Sequence, residues 1–421
     1  MFFERNRNLT MSTTAANETR ERYTALCKQR NTQPHAYVLK ALNKSAKDFL
    51  LSQTEEMHVD LAGNNKLLTQ RRLEDVDVEI LCSILSKSTV LASLDLRYNN
   101  FTDVGAGAVA KLIEESPCVK KINIMCNELT SDGAQKIASA LHDNVTLRSL
   151  KMNGNKIGNK GGMYFAQALQ INTKLRELDL GDTDQGTESM IALSTVLNQN
   201  RHLRALNINR PLLFSCQEET TVHFGKMLKV NHSLREIHMS KCMIRDFGME
   251  RLCEGLTDNY TLVYLDLSCN RITRDGAECM SHLLRKNTPL EILDLGYNRI
   301  EDDGAQYLSE AIGTYNSNLK ALVVTSNCIE GKGLVCIAKS MKTNNVLSNV
   351  YIWGNNLEES ACDAFRELID RRRLLPKNTD VKPYEVDGKN YLAELSHGIK
   401  RFYYWTPSYG ADVVGGDDDL L

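Results

Sequence analysis

Few residues in this 421-residue chain have the type and spacing that chemistry requires. The nine histidines include no HExxH and no pair at the i, i+4 spacing of a helical metal site. His238 has Cys242 nearby, but one imidazole and one thiol fall short of a ligand set, and a satisfied or exposed histidine is the better reading. There is no GxSxG elbow and no GxxxxGK[ST] loop, so neither a hydrolase nucleophile nor a nucleotide-driven module is indicated. Gly105-Ala106-Gly107-Ala108-Val109-Ala110 does match GxGxxA, which alone would hint at a dinucleotide site. Glycines recur in the same position at Gly133, Gly161, Gly248, Gly276, Gly304 and Gly333, so a repeating structure accounts for the match. No catalytic residue, metal ligand, cofactor or small-molecule substrate is assigned, and a non-enzymatic protein is expected.

Two other sets of residues have the pattern of a binding surface. Lys120, Arg148, Arg176, Arg204 and Arg235 occupy one position in five successive segments. Stacked on strands about 4.8 Å apart they form a basic stripe roughly 20 Å long. Guanidinium groups in such a stripe pair with the carboxylates of an acidic partner. The competing reading is a solvated edge whose long stems cover neighbouring strands. Tyr264, Tyr297, Tyr351 and Trp353 take variable positions further along, and Trp405 lies in the tail. Aromatic residues of this kind often dominate interface energy, although Tyr351 and Trp353 also suit packing beneath a terminal cover. Aromatics for base stacking are missing beside the arginines, so direct nucleic-acid binding is not expected.

The elements that must position these residues are set by an internal repeat. Leu262–Gly276, LVYLDLSCNRITRDG, returns at Leu290 as LEILDLGYNRIEDDG and at Leu91 as LASLDLRYNNFTDVG. The template LxxLxLxxNxL starts at Leu91, Val119, Leu147, Leu175, Leu203, Leu234, Leu262, Leu290, Leu319 and Leu347, in steps of 28 to 31 residues. A weaker copy precedes them at Val59, Leu61 and Asn64. Each copy has a short alternating piece, the mark of a strand with one buried face, followed by a stretch of helical periodicity. No single copy can cover its apolar face, so neighbours must stack. Strands pack closer than helices, which forces curvature with strands inside and helices outside. Asn99, Asn127, Asn155, Asn270, Asn298, Asn327 and Asn355 form a column whose amides satisfy backbone groups leaving the strand. Cys126, Cys242, Cys269 and Cys328, in or beside it, read as small buried or half-buried thiols.

These residues resemble the ribonuclease-inhibitor-like subfamily of leucine-rich repeat proteins over roughly Glu56 to Arg373. The resemblance implies an α/β solenoid, a horseshoe with parallel strands on the concave face and helices on the convex face. Members are mostly binding scaffolds, or regulators such as the Ran GTPase-activating protein. Three repeats depart from the pattern, with Thr183, Pro211 and Cys242 where Asn is expected and a three-residue insertion within Arg210 to Gly225. That stretch reads either as tolerated drift or as an irregular contact site for a partner.

Composition limits the rest. Fifty-one Lys plus Arg balance 53 Asp plus Glu, a net charge of −2 that excludes a global field for nucleic acid or membrane. Twelve cysteines without a CxxC pair fit a reducing compartment. No apolar run approaches a membrane span, and the first residues, MFFERNRN, lack a signal core. Residues 1–53 read as a polar extension, its first ~20 residues disordered, ending in one or two capping helices. Residues 54–375 are the repeat array, and 376–421 an aromatic tail with an acidic end in which YLAEL and FYYW are expected to pair. The expected function is an interaction scaffold or adaptor of the cytoplasm or nucleus, with nucleolus and cilium as further settings. It would bind protein partners on the concave face and tail, some through acidic segments. A Ran-type GTPase activator and a structural part of a ciliary assembly are the rival readings.

Overall fold

The computed structural model describes residues 19–51, 56–65, 68, 71–213 and 218–395. The chain divides into two compact units, Met1–Val196 and Leu197–Leu421. In the first, the described helices 19–29 (α1) and Ala36–Leu51 (α2) precede an alternation of strand and helix. It runs β1 (Met57–Asp60), α3 (Asp75–Leu85), β2 (Leu91–Asp95), α4 (Asp103–Glu115), β3 (Lys121–Asn123), α5 (Ser131–Ala140), β4 (Ser149–Lys151), α6 (Gly158–Ile171), β5 (Glu177–Asp179) and α7 (Thr187–Leu197). The five strands pair in parallel in chain order.

The second unit continues the alternation with β6 (Ala205–Asn207), α8 (Glu219–Val230), β7 (Glu236–His238), α9 (Asp246–Thr257), β8 (Tyr264–Asp266) and α10 (Arg274–Arg285). It closes with β9 (Ile292–Asp294), α11 (Glu301–Thr314), β10 (Ala321–Val323), α12 (Gly331–Thr343), β11 (Asn349–Tyr351) and α13 (Glu359–Asp370). Its strands β6 to β11 also pair in parallel in chain order. Each unit is thus an α/β repeat solenoid, as expected. The template leucines fill the space between strand and helix. Leu94, Leu96, Leu150 and Leu178 in the first unit, and Leu206, Leu265, Leu293 and Leu322 in the second, are all buried.

Side-chain amides hold the repeats together. Asn270 donates from Nδ2 to Met239 O and Leu267 O, and its Oδ1 accepts the N–H groups of Cys242 and Ile244. Asn155 does the same with Ile124 O, Met152 O and the N–H groups of Asn127 and Leu129. Where asparagine is missing, the carbonyls find other donors. Thr183 Oγ1 and Gln185 Nε2 both donate to Leu180 O, at 2.6 and 3.0 Å. The Cys242 thiol faces Ile208 O and Ser240 O at 3.6 Å. Pro211 is described and buried, whereas 214–217 of the insertion fall outside the described residues.

A second asparagine column, not anticipated from the leucine template, seals the helix ends. Asn172 Nδ2 donates to Leu141 O and Asn144 O, while its Oδ1 accepts from Lys174 and Leu175 N. Asn144, Asn231, Asn259 and Asn344 repeat the arrangement. The signal was present, since these residues lie three before the template's leading leucine and recur with it. A row of acids does the same for helix starts. Asp103 Oδ1 accepts the N–H groups of Thr130 and Gly133, and Asp246 those of Thr273 and Gly276.

Both ends carry covers. Tyr37 of α2 donates its hydroxyl to Ala62 O at 2.8 Å, beneath β1. At the other end, the 3-10 turn Pro376–Asn378 leads into the antiparallel hairpin β12 (Val381–Val386) and β13 (Lys389–Glu394). This hairpin was not among the pairings expected for the tail. Tyr391-Leu392-Ala393-Glu394 pairs with β12 through Asp387-Gly388, both at positive φ as a two-residue hairpin turn requires. The FYYW segment lies outside the described residues.

Candidate interaction surface

The residues facing away from the leucines form rows across the sheet of each unit. In the first unit Ser93, Lys121, Ser149 and Glu177 align, as do Asp95, Asn123, Lys151 and Asp179. In the second, Glu236, Tyr264, Ile292, Ala321 and Asn349 align beside His238, Asp266, Asp294, Val323 and Tyr351.

The basic residues stand one position before the strands, at the sheet margin. Their backbones form a ladder within each unit, from Arg148 N to Lys120 O, from Arg176 N to Arg148 O and, separately, from Arg235 N to Arg204 O. Four of the five side chains do not lie free across the sheet. Arg148 Nη1 donates to Val145 O and Leu147 O at 3.1 and 3.3 Å, and Arg176 Nη1 donates to Thr173 O and Leu175 O at 3.1 and 3.2 Å. Arg204 Nη1 reaches Ser233 O at 2.7 Å. Lys120 Nζ is paired with Glu56 Oε1 at 2.5 Å, and that bond holds the Glu56 carboxyl below its usual range. Arg235 is exposed and has no side-chain partner among the described residues. Arg148 and Arg176 therefore serve partly as edge caps for their own repeats and Arg204 for the next, which the alternation of the strand could not reveal.

The aromatic residues separate into two groups. Tyr297 is 59% exposed and sits at φ 59° in the turn after β9. Trp353 is half-buried. Tyr264 and Tyr351, expected as contact residues on an open face, are instead buried at 1% and 2% exposure. Tyr264 packs with Ile292 and Ala321 of the next two strands and meets the edge of the His238 ring at a centroid distance of 4.8 Å. At strand spacing a large ring lies against its neighbours in the row and is covered by them. Trp405 lies outside the described residues.

Charged groups on the sheet are perturbed by their burial. His238, itself fully buried, has Asp266 Oδ2 3.2 Å from Nδ1 and Glu236 Oε2 3.7 Å from Nε2. Burial works against ionisation of Asp266, yet His238 and the Ser268 hydroxyl and N–H outweigh it and hold the carboxyl below its usual range. In the first unit burial pushes Asp95 up to about 6, despite Arg97 beside it. Among the described residues no three His, Cys, Asp or Glu side chains are grouped to hold a metal. No described helix is long and apolar enough to cross a membrane. The glycines of the GxGxxA motif also have a defined place. Gly105 N donates to Asp75 Oδ1 at 2.8 Å, the contact that Gly133, Gly276 and Gly333 repeat.

A family model described as leucine-rich repeat matches residues 87–110, 115–138, 143–166, 258–281, 286–309 and 315–338. Leucine-rich repeat-containing protein 34 of Rattus norvegicus is 60% identical over 394 residues, covering 94% of this chain and 95% of the relative. The protein of the same name in Mus musculus is 55% identical, covering 92% and 94%, and that of Homo sapiens 58%, covering 92% and 84%. With its strand and helix repeats and more than nine-tenths of its length aligned to these proteins, the chain belongs to the leucine-rich repeat-containing protein 34 family.

Proposed function

We propose that the chain is a non-enzymatic scaffold, in the cytoplasm or nucleus, that receives acidic segments of partner proteins at the arginines of each unit, Arg148 and Arg176 in the first and Arg204 and Arg235 in the second. The observation that carries this reading is the pinning of the guanidinium groups. Arg148 is fixed by two carbonyls of its own repeat through Nη1, which leaves Nε and Nη2 to meet a carboxylate. A cation already held in place loses little side-chain entropy on binding. Tyr297, large, exposed and on the same unit as Arg204 and Arg235, supplies an apolar contact of the kind that anchors interfaces. Trp353 adds a half-buried surface near the end of that unit. The described cysteines are all free thiols, which supports a reducing compartment.

The test is charge reversal at one arginine in each unit, Arg148→Glu with Arg235→Glu, followed by affinity capture from native cells. Partners that depend on the row are expected to be lost while circular dichroism stays unchanged. An identical partner set with and without the substitutions would refute the role of the row.

A further inference from the structure

The hairpin that closes the second unit has two different faces. Val381, Pro383, Asn390 and Leu392 turn toward the body of the unit, where Leu392 is buried and Arg366 of α13 bonds Glu385 Oε2 at 2.8 Å and Asn390 Oδ1. The opposite face consists of three cross-strand pairs, Lys382 with Ala393, Tyr384 with Tyr391 and Val386 with Lys389. All six are exposed. The two tyrosine rings stack across the ribbon at 5.5 Å with an interplanar angle of 26°. Tyr384 is 48% exposed and Tyr391 40%. Such an aromatic pair is left open to water at a cost that nothing in the packing of the unit requires.

This outer face is open, and a partner can read its side chains directly. Pairs in a two-residue hairpin alternate between bonded and non-bonded, which leaves the backbone nitrogen of Pro383 at the ribbon's edge, where it has no N–H to offer an added strand. What remains is an apolar centre with one cation at each diagonal corner, Lys382 and Lys389, neither of which has a partner among the described residues.

We propose that this face docks an extended acidic segment of the pattern acidic-x-apolar-x-acidic. The two lysines are four residues apart along the ribbon, about 14 Å at strand rise. An extended peptide places side chains i, i+2 and i+4 on one face over the same span. Carboxylates at i and i+4 then meet Lys382 and Lys389, while the apolar residue at i+2 lies on the tyrosine pair. The inference deepens the scaffold reading and rests on it, but it uses a surface apart from the arginine row.

The experiment uses the full chain and a fluorescein-labelled peptide, Gly-Asp-Ser-Phe-Ser-Asp-Gly, in fluorescence anisotropy at low salt. Binding with a Kd on the order of 10–100 μM is expected. The variants Lys382→Glu with Lys389→Glu, and Tyr384→Ser with Tyr391→Ser, should each weaken it at least about tenfold. Both pairs are exposed, so the thermal midpoint of each variant should stay near that of the parent chain. Gly-Ser-Asp-Phe-Asp-Ser-Gly, whose acids face the other way, should bind at least about fivefold more weakly. Equal affinity for the two peptides, no binding of either, or indifference to the hairpin variants overturns the proposal. Loss of peptide binding in Arg148→Glu with Arg235→Glu would place the peptide on the arginine row and overturn it too. A chain ending at residue 411 that binds the peptide more than about tenfold tighter would instead assign the face to the chain's own acidic end. Failure here, with partner capture still dependent on the arginines, leaves the scaffold reading standing.

Discussion

Asp380 accepts the backbone N–H of Ile352 at 2.8 Å, taking the place of a next strand, which is absent among the described residues. One repeat earlier the equivalent donor, Val324 N, bonds Tyr351 O of the following strand at 2.9 Å. Asp380 also receives Trp353 N and the Thr325 hydroxyl, and Arg373 mimics the second asparagine column by donating to Met341 O, Asn344 O and Leu347 O. Side chains thus supply the bonds of a missing repeat and close the last edge of the second unit. Burial raises the Asp380 carboxyl above its ordinary range, while the N–H groups of Ile352 and Trp353 oppose that shift.

Asp380→Ala should lower stability by about 1–3 kcal/mol, because the buried N–H of Ile352 loses its acceptor. Chemical denaturation reads the loss. Amide hydrogen exchange should speed up at Ile352 and Trp353 before it does at Leu265 in the middle of the unit. Uniform exchange across both sites would contradict the capping role.

The substitute for asparagine at Thr183 is a pair of residues, and the pair can be tested as one. Gln185→Ala should cost about 1–2 kcal/mol by removing a donor to Leu180 O. Adding Thr183→Asn should restore most of it, since asparagine at that position reaches the same carbonyl elsewhere in the array. Thermal melts of the single and double variants decide the matter, and a double variant weaker than the single one rejects the equivalence.

Asp95 gives a dependence on pH whose sign follows from its burial. A carboxyl at about 6 when folded and near 3.9 when unfolded holds its proton more tightly in the folded state, so ionisation costs stability as pH rises between those values. Compared with Asp95→Asn, which does not titrate, the parent chain should lose about 2 kcal/mol between pH 4 and pH 6.5. Urea midpoints of the two proteins measured across that range check it. A difference that is constant with pH would show that Asp95 titrates normally.

Gly133→Ala tests the reading of the glycine column as structure. A Cβ there would meet Asp103 Oδ1 at 2.4 Å and Ala106 Cβ at 3.1 Å, disturbing the carboxylate that caps α5. A loss of about 1–3 kcal/mol is expected from overpacking. Gly158→Ala, with nothing within 4 Å of the added carbon, meets only the strain of its φ of 64° and should cost less. Equal stability of the Gly133 variant and the parent chain would count against the ladder.

The repeat period, the strand and helix alternation, the leucine core and the role of the asparagine column were all legible in the chain, because each depends on spacing that recurs along it. Local periodicity also placed α1, α2 and the departures at Thr183 and Cys242. Spacing alone did not decide which side chains stay open. Tyr264 and Tyr297 both fell at variable positions, yet one lies along a strand row against Ile292 and the other projects from a turn. Arg148 and Arg176, read as face residues, became edge caps because their length lets them turn back to carbonyls three residues away. Asp380 and Arg373 lie one repeat length beyond the groups they satisfy, but only three-dimensional stacking shows that they, rather than a following strand among the described residues, meet those groups. A one-dimensional pattern specifies what recurs. Exposure and the closing of an edge depend on which atoms occupy the neighbouring space, and folding alone sets that.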